Sequence, residues 1–143
     1  MVINFNEYYR TNLIHSEEWH AGVLMTEDYY SYMKLFEDGF WLSKKHDRAD
    51  FDFRGFLASL DIDRAKQAYS AEENPPLGAD GDFDYQVGHW ILLGTQLTLT
   101  FVFFLRTVNG HTLKVSKDVH YVITPVGHLR NESGDIVYGA LDE

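Results

Sequence analysis

YYSYMKLFEDGFWL, residues 29–42, decides the fold. Two aromatic-rich runs flank Glu37-Asp38-Gly39. A three-residue loop with glycine last suits a type I turn closed by a left-handed residue, so the stretch predicts a β-hairpin. Tyr30, Tyr32, Lys34 and Phe36 share one face of the first strand; Tyr29, Ser31, Met33 and Leu35 share the other. Both faces carry apolar groups, so a second layer is expected over the outer one.

The C-terminal half repeats this logic. Residues 85–93 read as a strand, Gly94-Thr95 as a turn, and LTLTFVFFLRTV (97–108) as a long strand. Leu97, Leu99, Phe101, Phe103 and Leu105 fall on one of its faces. Asn109-Gly110 is a strong hairpin signal, because both residues tolerate positive φ. HTLKVSK returns, Lys117-Asp118 is expected to break the strand, and VHYVIT follows as another. Pro125–Gly127 and Asn131–Gly134 read as turns, with a last strand in DIVYGAL.

Short turns between successive strands make consecutive antiparallel pairing the economical topology. The expectation is a single mainly β domain over residues 1–143, an up-and-down barrel or half-barrel. Closure would also shield the apolar TFVFFL run from edge-to-edge aggregation.

One segment changes period. Phe53, Phe56, Leu57 and Leu60 sit at i, i+3, i+4 and i+7, one face of a helix, with Asp52 as N-cap. Asp61 or Asp63 can cap a second short helix carrying Ile62, Ala65 and Tyr69. The predicted insert, about 47–84, is helix and acidic loop, placed at one end of the barrel.

Composition narrows the function. The 143 residues carry a net charge of −10 and no cysteine. Disulfides and thiolate chemistry are excluded, and phosphate backbones and anionic lipid are unfavourable partners. No apolar run approaches the ~18 residues a membrane helix needs, and no secretory signal is evident, so a cytoplasmic protein is expected. From Asp47 to Asp84 acids outnumber bases by ten to four. The plain reading is a solvated face; the sharper one is a docking surface for a basic protein.

The hairpin YYSYMKLFEDGFWL and the strand pair GHWILLGTQLTLTF (88–101) together resemble small lipocalin-like (calycin-like) β-barrels. VNGHTL resembles a later strand of that pattern. Lys34 stands where those proteins usually have arginine, and the 47–84 insert is long and acidic. An N-terminal Gly-x-Trp, the hallmark of secretory lipocalins, has no clear match. The resemblance implies a barrel with room for a small ligand.

No nucleotide or hydrolase motif is present. Asp80, Asp82 and Asp84 alternate like the start of a calcium loop, but Tyr85 and Ile91 stand where that loop needs glycine and glutamate. The stretch reads as acidic loop running into a strand. His15 and His20 flank SEEW, which is not a zinc motif. His89 and His120 lie on strands, where a satisfied or surface histidine is the plain reading.

Candidate ligand contacts are Tyr30, Tyr32, Trp41, Trp90 and Tyr121, with His120 as polar anchor. Trp and Tyr pair an apolar body with a polar tip, which suits small-molecule pockets. The competing reading is that these rings fill the core. The sequence thus favours a non-enzymatic binding module for a small apolar or aromatic molecule in the barrel. The alternative is a protein-interaction module using the acidic insert. No cofactor, metal or catalytic residue is expected.

Overall fold

A computed structural model describes residues 8–78 and 84–141. The elements run β1 (Tyr9–Thr11), β2 (Ile14–His20), β3 (Val23–Leu35), β4 (Phe40–His46), α1 (Phe53–Ser59), α2 (Ile62–Ser70), β5 (Gln86–Leu93), β6 (Gln96–Arg106), β7 (Thr112–Ile123), β8 (Leu129–Asn131) and β9 (Val137–Ala140). Consecutive strands from β2 to β9 pair antiparallel. β1 then pairs with β9 on one side and β3 on the other, with Arg10 opposite both Gly139 and Tyr32. That seam closes β1 and β3–β9 into an eight-stranded barrel, mainly β and compatible with a calycin-like fold.

The 29–42 hairpin forms as its residues dictate. Phe36 and Gly39 close the loop through Phe36 N–H to Phe40 O (2.9 Å) and Gly39 N–H to Phe36 O (3.1 Å). Gly39 takes φ +88°, which only glycine adopts freely.

Strand alternation sorts the side chains into two cores. The barrel interior holds Met33, Leu35, Trp41, Leu97, Leu99, Tyr121, Ile123, Leu129 and Tyr138. A separate outer core joins Tyr32, Phe40, Leu42 and Val87 on the outside of β3–β5 to Phe53, Leu57 and Ala65 of the helices. The second layer that the two-sided apolar strand demands is therefore present. It lies along the barrel wall, not across one end, because the apolar outer faces of β3–β5 are what α1 and α2 bury. Asp52 and Asp61 cap the two helices, accepting from Gly55 N–H at 2.9 Å and Arg64 N–H at 3.1 Å.

Two local expectations change. Lys117-Asp118 does not interrupt β7, since Asp118 stays opposite Thr100 in register and accepts its hydroxyl at 2.7 Å. Asn109-Gly110 is not a two-residue turn: Thr107 N–H reaches His111 O across a three-residue loop, and Gly110 alone has positive φ. Residues 14–20, to which the sequence assigns no element, form a strand joined to β3 by Ala21-Gly22, both at positive φ.

Two ribbons extend beyond the barrel wall. In β3, residues 23–29 pair only with β2, and in the β6–β7 hairpin the register continues past Phe101 to Arg106–Thr112. Phe103 and Leu105 of the apolar TFVFFL run therefore remain exposed. Asn74 covers part of this run, accepting from Phe104 N–H at 2.7 Å and donating to Phe104 O at 2.6 Å.

Candidate functional site

The six candidate ligand contacts do not converge. Trp41, Trp90 and Tyr121 point into the barrel. Trp41 is fully buried and packs edge-on against Phe101, ring centroids 4.6 Å apart. Its indole N–H donates to Thr100 O at 3.3 Å, and that of Trp90 to Phe36 O at 2.9 Å. These tips are already satisfied by backbone.

Tyr30 and Tyr32 face outward, because they alternate with inward Ser31 and Met33. Tyr32 is buried under the helices between Phe51 and Phe53, its hydroxyl donating to Arg48 O. Tyr30 lies beneath the Arg10 guanidinium, 5.3 Å from its ring centroid. His120 also faces outward, opposite in parity to Tyr121, with Nδ1 2.9 Å from the Thr98 hydroxyl. An interior position for Tyr30, Tyr32 and His120 is thus corrected by strand parity. His89 likewise points outward, held by the Tyr69 hydroxyl at 2.7 Å.

The interior is occupied by side chains. Met33, Leu35, Trp41, Leu97, Leu99 and Leu129 are all closed off from solvent. Its floor toward one end is polar. Ser31 Oγ lies 2.7 Å from the Tyr138 hydroxyl and 3.3 Å from Ser43 Oγ. Burial pushes the Tyr121 phenol up to about 12, and Tyr138, also buried, is raised still further.

Above that floor the barrel opens into a groove of about 900 Å³. Ser43, Lys45, Gln86 and Tyr29 line it from inward-facing positions of β3–β5. Met25, Glu27, Ser16 and Glu18 continue the same face along the β2–β3 ribbon, where Ser16 is opposite Glu27 and Glu18 opposite Met25. The Lys45 ammonium sits over the Tyr29 ring, 4.5 Å from its centroid. Burial, then the Glu27 and Glu18 carboxylates, raise the Tyr29 pKa.

Sequence reasoning missed this groove because it missed β2, without which the wall carrying Ser16 and Glu18 does not exist. The usable signal was the alternation Ile14, Ser16, Glu18 against Tyr29, Glu27, Met25 about a small-residue turn.

The acidic insert is partly spent within the chain. Asp84 pairs with Lys44 at 3.2 Å, Asp50 with Arg48 at 3.0 Å, and Asp47 with His46 at 3.2 Å. Asp52 and Asp61 are helix caps. Asp80 and Asp82 lie outside the described residues, so the aspartate triplet is described only at Asp84. Among the described residues no three His, Asp or Glu side chains are grouped to hold a metal ion. His15 and His20 fall on opposite faces of β2. No described helix is long and apolar enough to cross a membrane.

Comparison with known proteins found no matching family model, no similar curated protein and no similar solved structure.

Proposed function

We propose that this protein is a non-enzymatic, lipocalin-like binding module that takes a small molecule at the open end of the barrel. The observation carrying this reading is the groove of about 900 Å³, in the range of small-molecule sites, which runs from Ser43 out along the β2–β3 ribbon. With the interior filled by side chains, our reading sets the ligand at this mouth and not at the barrel centre that the sequence suggested.

The lining indicates the ligand's chemistry. Tyr29 and Met25 offer an aromatic face and a soft apolar surface. Glu18, Glu27, Asp28, Asp47 and Asp84 outnumber Lys44 and Lys45, so the groove favours an apolar or aromatic body bearing a basic group. Trp41, Trp90 and Tyr121 then serve as the scaffold beneath the site. The alternative is a basic protein docked on the 47–84 insert, where Asp50 and Asp84 are paired within the chain and Asp52 and Asp61 cap helices.

Native mass spectrometry of protein gently isolated from its host cells tests the reading. An added mass of a few hundred daltons, lost on Glu27→Gln/Tyr29→Ala substitution, is the expected result. A bound polypeptide retained through the insert would favour the alternative. Wild-type protein without adduct that also binds no member of a panel of aromatic amines would overturn the mouth-site reading.

A further inference from the structure

Both ribbons rise from the same end of the barrel. β3, β4, β5 and β6 alternate in direction, so the start of β3 and the end of β6 must share an end. Among the described residues, each ribbon has an open edge. β2 is the terminal strand of the sheet, paired among the described residues with β3 alone. Residues 112–120 of β7 have β6 on one side, and the β8 register begins only at Tyr121. The other edge of that ribbon is less accessible, because Asn74 holds both backbone groups of Phe104.

The two edges are opposite in charge. Residues 14–28 carry Glu17, Glu18, Glu27 and Asp28 and no Lys or Arg. Residues 103–118 carry Arg106, Lys114 and Lys117, and their one acid, Asp118, accepts the Thr100 hydroxyl. Both also expose apolar side chains: Trp19 is 71% exposed and Met25 55%, and on the other ribbon Leu113 is 53% and Leu105 48%.

We propose that a second copy of this chain docks here, the β2 edge of each copy pairing with the β7 edge of the other around a two-fold axis. Charged edge strands normally guard against such pairing. Here the guards differ in sign, so they oppose β2–β2 and β7–β7 contacts while favouring β2–β7. The free lengths match, since β2 has seven residues and β7 offers at least that many before β8 begins. Both ribbons leave the same end, so the proposed two-fold arrangement puts both contacts on one face of each copy and closes as a dimer. The inference is independent of any ligand in the mouth.

Sedimentation velocity on the full chain tests it. The wild type should show a monomer–dimer equilibrium that shifts to monomer at high salt. Glu17→Lys/Glu18→Lys makes the edge strand β2 basic and cancels the negative excess of residues 14–28, and Lys114→Glu/Lys117→Glu makes both edges acidic. Each variant alone should dimerise at least about tenfold more weakly, while an equimolar mixture should recover the dimer, with circular dichroism confirming that both are folded. Three results would overturn the proposal: a wild type monomeric at every concentration, a dimer indifferent to either variant, or folded variants that fail to associate when mixed. Growth beyond the dimer would overturn the two-fold closure.

Discussion

Trp41 reaches the Thr100 carbonyl, 3.3 Å away on β6, by crossing over Gly88 on the intervening strand β5. A Cβ at Gly88 would lie 1.8 Å from Thr100 O and 2.8 Å from Trp41 Nε1. The first contact is with backbone and cannot be relieved by a rotamer change. The glycine is therefore a condition of the tryptophan's position.

Gly88→Ala should accordingly destabilise the protein by about 3 kcal/mol or more, from overpacking and the loss of the indole hydrogen bond. Urea unfolding monitored by Trp fluorescence measures it. A loss below about 1 kcal/mol would show that β5 and β6 can part at this point without cost.

The first helix allows a test of sign. Gly55 sits three residues after the cap, and a Cβ there would lie 2.2 Å from Asp52 Oδ2. Asp52→Ala should cost about 1 kcal/mol through the lost cap. Gly55→Ala should be near neutral in the wild type, because a helix-propensity gain of up to about 1 kcal/mol is offset by a displaced cap. In the Asp52→Ala background the same substitution should become stabilising. A double-mutant cycle by chemical denaturation checks this, and additive effects would mean the carboxylate moves aside freely.

Buried phenols set the alkaline limit. Tyr121 is pushed up to about 12 by burial, from an ordinary value of 10.0. Tyr138 is raised in the same direction by burial and by Tyr121. The folded state thus keeps protons that the unfolded chain releases, so this contribution is full below pH 10 and lost as pH rises through the folded values. Tyrosinate absorbance should show two phenols resisting ionisation until unfolding. Tyr138→Phe should remove one of them and leave Ser31 without its 2.7 Å partner.

His15 on β2 bridges Glu17 at 3.0 Å and Asp28 at 2.5 Å. These carboxylates, Glu17 foremost, raise its pKa above the ordinary 6.5. Any stabilisation of the ribbon from the charged imidazole is present below pH 6.5 and lost as pH rises through the raised value. An NMR titration should place its midpoint above that of a model imidazole, and Glu17→Gln should lower it. An unchanged midpoint would mean that the bridge is absent in solution.

Much of the fold was legible because it rests on local chemistry. Gly39, Gly94, Gly110, Gly127 and Gly134 all take positive φ, and each falls in a turn that the sequence marked. Asp52 and Asp61 begin their helices where the apolar period changes. Three features were not legible. The Ala21-Gly22 turn puts an alanine at φ 51°, a conformation its composition does not advertise. β1 is three residues long, too short for an alternation pattern to be read. The inward or outward sense of Tyr32 and Trp41 depends on which face the helices cover, and both faces of that hairpin are apolar. Tyr30 and Tyr32 were misplaced for that reason; His120, on β7, faces outward because it alternates with the inward Tyr121, and the groove was hidden with β2.

The three-residue seam at Tyr9–Thr11 has a consequence for the order in which the molecule comes together. Among the described residues every other ladder joins consecutive strands, so it can zip from a neighbouring turn or across the 47–84 insert. Only the seam must bring Arg10 to Gly139, from opposite ends of the chain, and it does so through few hydrogen bonds. Loop-closure entropy places such a contact late. The protein should therefore pass through an open, curved sheet whose last act is to shut, and the same join should be the first to part when the barrel breathes.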